Sequence, residues 1–177
     1  MEAEESGIIK LGDARALRTI GAFAELFTRW RSHFEKDIND VIHYFQHNFD
    51  AVGIASPAQS LGRVEIALKA DIAIIARVLS EEMTPQRAAT LKKACNDIRG
   101  HLATVTAYIA MGDDLNVNHD DRKQSDVIYE SIEQWKAMLP GRGASGGDAQ
   151  ALGHAIEHFI RQGAPQRGRS AGMSVVG

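Results

Sequence analysis

Residues 88–109, AATLKKACNDIRGHLATVTAYI, decide the fold class. Their apolar members are Ala88, Leu91, Cys95, Ile98, Leu102, Val105 and Ile109, stepping by 3,4,3,4,3,4. Side chains three and four apart share one face of an α-helix, whereas a strand would alternate. The pattern predicts a helix with a narrow a/d-type seam sustained for more than two heptads. Thr84-Pro85 supplies a start signal, a capping hydroxyl followed by proline at the first helical position. Met111-Gly112 marks the expected stop.

The same spacing governs the chain on either side. Upstream, Ile20, Phe23, Phe27, Trp30, Phe34, Ile38, Val41, Phe45, Phe49 and Val52 recur at gaps of three or four. Gly12-Asp13 offers an N-cap and Gly53 a stop, so one helix is expected from residue 13 to 52. At ~1.5 Å per residue it would reach ~60 Å, and the polar stretch Glu35 to Asp40 is where a break is expected. Ser56-Pro57 opens a second helix with Leu61, Val64, Leu68, Ile72, Ile75 and Leu79 on one side. Downstream, Ser125 caps a fourth helix carrying Ile128, Ile132, Trp135 and Leu139. After Asp148 a short fifth helix carries Leu152, Ile156, Phe159 and Ile160.

The fold class is therefore all-α: an antiparallel bundle of four main helices, a short C-terminal helix and a disordered tail. The expected divisions are a flexible N-terminus (1–12), the bundle (13–139), a Gly-rich linker (140–148), the short helix (149–162) and a basic tail (163–177). No internal repeat or strand pattern is evident.

Totals narrow the function classes. The 177 residues are enough for one core, and 44% hydrophobic with 24% charged is globular composition. Net charge is −3, against the basic excess that phosphate neutralisation favours. The acidic opening, Met1 to Ser6, lacks the pattern of a secretory signal. The longest apolar run, Ala70 to Leu79, is broken by Asp71 and Arg77 and falls short of a bilayer span. Cys95, the single cysteine, fits a buried structural thiol. A cytoplasmic protein with no membrane partner is expected.

Two His-x-x-x-His spacings are the sharpest chemical signals: His43 with His47, and His154 with His158. Residues i and i+4 share a helix face, so each pair could offer two imidazoles to one metal. His154-Ala155-Ile156-Glu157-His158 also fits the H-x-x-E-H pattern of some zinc peptidases. In this late His-x-x-x-His the chain is similar to DinB-like helical bundles, a resemblance of spacing that would imply metal-dependent chemistry. Helical faces speak against a site. His43 and His47 fall with Lys36, Asp40 and Asp50, and His154 and His158 with Glu157 and Arg161, all away from the apolar stripes. They read as solvated surface histidines, and neither cofactor nor catalytic residue is expected.

Asp114-Leu115-Asn116-Val117-Asn118-His119-Asp120 resembles the opening of a calcium loop. It has His119 where the turn wants glycine and Ser125 where the bidentate glutamate belongs, so a solvated loop is the better reading. The Gly141 to Gly147 run follows no strand and lacks the phosphate-binding lysine, so it reads as a linker. Arg161, Arg167 and Arg169 make the C-terminus basic and would be the contacts in any nucleic-acid role.

The leading expectation is a non-catalytic protein acting through protein–protein contacts, as an adaptor, assembly subunit or small regulator. Self-association is expected, as a homo-oligomer and most simply a dimer, through an aromatic stripe on the first helix too long to be covered. The alternatives are a metal-dependent enzyme built on His154 and His158 with a first-helix histidine, and a nucleic-acid-associated or capsid-like subunit using the arginines.

Overall fold

The computed structural model describes the backbone of residues 2–115, 122–141, 144 and 146–176, and the side chains of 12–112, 114–115, 129–141, 144 and 146–163. Five helices carry the chain: α1 (Glu2–Ala51), α2 (Ala55–Leu79), α3 (Pro85–Asp114), α4 (Arg122–Met138) and α5 (Gly147–Val176). No strand occurs among the described residues.

α1 is one continuous helix of 50 residues. It passes through Gly12-Asp13, so Asp13 is no N-cap, and the polar stretch at residues 35–40 causes no break. Polar residues there occupy the outer face while Phe34 and Ile38 keep the buried stripe unbroken, which leaves the backbone no reason to bend. The helix ends in a Schellman turn. Gly53 N–H donates to Asp50 O at 3.0 Å and Ile54 N–H to Phe49 O at 2.8 Å, with Gly53 at φ +80°. Val52, last of the spaced residues, is exposed in this turn rather than buried.

Because the turn delivers the chain directly into a new helix, α2 begins at Ala55, and Ser56 lies inside it without capping. Pro57 falls in the first turn, where its missing N–H would have had no partner anyway. α2 then runs back along the second half of α1. Gln46 Nε2 donates to Ala58 O, and further along Phe27 and Arg31 share a slot with Ala76 and Leu79.

α3 starts as its sequence signal predicts. Thr84 Oγ1 accepts from Arg87 N–H at 3.2 Å, with Pro85 at the first position. The helix continues through Gly112 to Asp114, past the expected stop. Ala88, Leu91, Cys95, Ile98, Leu102, Val105 and Ile109 are all buried, so the narrow seam faces the core along its whole length.

α5 differs most from expectation. It packs on α1 and on α3, whereas α4, expected among the four main helices, makes the lightest contacts. A Cβ at Gly163 would come 3.4 Å from Pro85, and Lys92 pairs with Glu157. The helix spans Gly147 to Val176. α4 begins at Arg122, ahead of Ser125. Its end is held by α3, for Arg99 donates from one guanidinium nitrogen to the carbonyls of Lys136 and Leu139, the latter at 3.0 Å. The Lys136 carbonyl also accepts from Leu139 N–H at 3.3 Å, and such bonds supply partners to carbonyls that a helix end leaves over.

The aromatic stripe of α1 is covered, against expectation. Phe23, Phe27 and Phe34 are buried, and Trp30 and Phe34 meet Trp135 of α4. α5 adds Leu152, Ala155, Ile156 and Phe159 to the same core. Both its neighbours bury a side of this helix.

Candidate functional site

The histidines that meet a carboxylate of another helix lie in three separate places. His43, in the second half of α1, is exposed and lies 3.2 Å from Glu65 Oε2 of α2; His47 is exposed one turn on. At the other end of α1, His158 of α5 donates through Nε2 to Asp13 Oδ1 at 2.8 Å, and Gln162 donates to the same oxygen at 2.6 Å. Gly12 lets this happen. A Cβ there would sit 3.3 Å from the imidazole. His154, one turn earlier, is exposed.

His158 therefore does not lie on a solvated face as predicted. It is half-buried, because α5 packs against both α1 and α3 and so covers more of itself than one apolar stripe would suggest. The spacing shared by the two pairs does not bring them together. His43 lies thirty residues beyond Asp13 on a continuous helix (13 to 43), or ~45 Å. A set of His154 and His158 with a first-helix histidine cannot close around one ion. Among the described residues, no group of three or more His, Cys, Asp or Glu is placed to hold a metal.

The third place was missed in the sequence reading. Asp71 of α2, 9% exposed, is the buried charged residue of the core. It faces His101 of α3, whose Nε2 is 3.5 Å from Oδ2. Burial raises the Asp71 carboxyl above its ordinary range and Asp97 adds to this, while His101 and Lys93 oppose it. Cys95 lies nearby, fully buried, and burial first and Asp71 second push its thiol up to about 12. A thiol so inert is no nucleophile at neutral pH. The signal was present: Asp71 stands between Leu68 and Ile72 on the buried side of α2, where a carboxylate is out of place.

The remaining feature is apolar. α4 ends and α5 begins over the first half of α1, and the break between them leaves a slot of about 440 Å³. Buried Phe23 and Leu152 form its floor, Ala22, Leu26, Met138 and Ala151 its sides, and Arg18, Thr19 and Asp148 its rim.

Arg161 is exposed on α5, while the side chains of Arg167 and Arg169 lie outside the described residues, as do Asn116, Asn118, His119, Asp120 and the Ser125 side chain from the calcium-like spacing. No helix among the described residues is long and apolar enough to cross a membrane. The fold and these sites define an all-α helical protein in which His43, His101 and His158 each lie against a carboxylate of a neighbouring helix. Compared with known protein families, curated proteins and solved structures, the chain matches none.

Proposed function

We propose that this is a non-catalytic helical protein that works through protein–protein contacts, as an adaptor, an assembly subunit or a small regulator. The observation that carries the reading is the apolar slot on α1, where Leu26 is 36% exposed beside Ala22, Met138 and Ala151. A concave apolar surface rimmed by charge is the usual form of a partner site. Of the histidines that first suggested chemistry, His43 lies with Glu65 and His158 with Asp13, and a further histidine, His101, lies with Asp71. Each pair joins two helices. The buried thiol of Cys95 suits a reducing compartment, and we place the protein in the cytoplasm on that ground.

In this reading the body is a four-column antiparallel bundle. α1, α2 and α3 are three columns, and α4 with α5, end to end, are the fourth. The support is that Trp135 lies on Trp30 and Phe34 while, farther up the same helix, Leu152 and His158 lie by Phe23 and Asp13. The slot sits at the joint of that composite column.

Leu26→Asp tests the proposal. It places a charge in the slot at an already exposed position, so circular dichroism and melting temperature should match the parent. Co-purification from the native host, read by quantitative mass spectrometry, should lose a specific partner or a second copy. Identical recoveries from parent and variant would refute the assignment of this surface.

A further inference from the structure

The rim of the slot carries one cation and one anion from different helices, Arg18 of α1 and Asp148 of α5. Neither has an ion-pair partner among the described residues. Both are exposed, and between them lie the small Ala22 and Ala151 and the exposed side of Leu26. We infer that the occupant of this slot is a second copy of the same chain, related by a twofold axis, a step that rests on the protein–protein reading above.

The argument is one of self-complementarity. In a twofold dimer every contact occurs twice with the roles exchanged, so the surface must be its own complement. An apolar centre flanked by opposite charges satisfies this. Turning a second copy over the slot sets Arg18 against Asp148 of the partner subunit, and Asp148 against Arg18 of the partner subunit. Asp148 also suits the first turn of α5, where the helix dipole favours an acid, but the pairing of both signs on one rim is what makes the surface its own complement, which a foreign partner would not require. Alanines at 22 and 151 keep the surface low enough for α1 and α5 to approach another pair of helices at ordinary packing distance, ~8–10 Å between axes. The exposed face also continues along α1 through Glu25 and Arg29, which line an adjoining shallow depression of about 410 Å³. The footprint thus has room to extend toward the roughly 800 Å² per partner that stable interfaces bury.

Charge exchange tests this in solution. The full-length parent should have a dimer mass by light scattering coupled to size exclusion across micromolar concentrations. Arg18→Glu alone or Asp148→Arg alone should weaken the dimer by about tenfold or more, since each sets like charges together at both ends of the slot. The double variant should recover the parent's dissociation constant to within about threefold. Both positions are exposed and without an ion-pair partner among the described residues, so circular dichroism should show unchanged folding in all three. A dimer indifferent to the single reversals, or not rescued by the double one, overturns the slot as the dimer surface while leaving contact through partners intact. A parent that stays monomeric overturns self-association itself. The Leu26→Asp co-purification then decides separately whether a foreign partner uses the face.

Discussion

Replacing Trp135 with alanine should release α4 without unfolding the rest. The indole is 8% exposed and sits on Trp30 and Phe34 of α1. Truncating a buried Trp or Phe to Ala removes ~3–5 kcal/mol. Among the described side chains of α4 and the turn after it, the other large apolar groups that are buried are Ile132 and Leu139, each contributing ~1.5–3 kcal/mol, together with the Arg99 bonds to the terminal carbonyls. Seventeen residues is barely past the ~12–15 at which even favourable helices are marginal alone. Alanine is itself a good helix former, so the loss is one of packing. At ~1.4 kcal/mol per factor of ten, amide hydrogen exchange in peptides from 122–138 should accelerate by about 100-fold or more. Peptides from α2, which lie against α1 and α3, should keep their protection. Equal loss of protection in α2 and α4 would mean that α4 is no separate unit, and unchanged exchange in α4 would refute the contact.

Cys95 should react with a disulfide reagent at pH 8 only through opening of the fold, slowly when native and rapidly in denaturant, because its thiol is buried and held near 12; fast native reaction would contradict the packing. The pH behaviour of Asp71 follows from the raised direction of its carboxyl. The folded state then binds a proton more readily than the unfolded one, so this group favours the fold fully below 3.8, and that contribution disappears as pH rises through the folded value. Asp71→Asn, neutral throughout, should therefore melt above the parent at pH 7, with the gap closing by pH 3; a lower melting temperature at pH 7 would show that the His101 contact dominates. Gly53→Ala should destabilise by about 1–2 kcal/mol in urea, the penalty for a side chain in the left-handed region, without changing the slope. His158→Ala should destabilise by up to about 1 kcal/mol, reduced by exposure, while His154→Ala, with no comparable partner, should be silent.

Helical period made the elements legible and the buried residues of α3 nearly all identifiable, because a seam of constant spacing admits one face. Capping chemistry was less decisive. Thr84 caps as read, but Asp13 and Ser56 resemble caps equally well and lie inside helices, since a following apolar stripe can override a local signal. The weight of α5 was hidden for another reason. Periodicity reports one buried stripe, whereas a helix wedged between two neighbours also buries its flanks, and His158 lies on a flank. The Asp13–His158 tie and the slot both depend on which helices become neighbours, and no spacing within one segment contains that information. Asp71 was different, being readable in place as a carboxylate on a buried face.

The pairing of Asp13 with His158 also bears on how the chain reaches this arrangement. Their separation in sequence is 145 residues, whereas α1 meets α2 across a single tight turn. Relative to closing a loop of about a dozen residues, closing one this long adds ~2 kcal/mol of chain entropy. The α1–α2 hairpin is thus the natural early event and docking of α5 the late one. On a ribosome adding ~5–20 residues per second, Ile20 and Phe23 wait for Leu152 and Phe159 for a time on the order of ten seconds. During that interval the first half of α1 is an amphipathic helix without its cover. It is the segment of the nascent protein most in need of a chaperone, and interruption of synthesis before Gly147 leaves its apolar stripe bare.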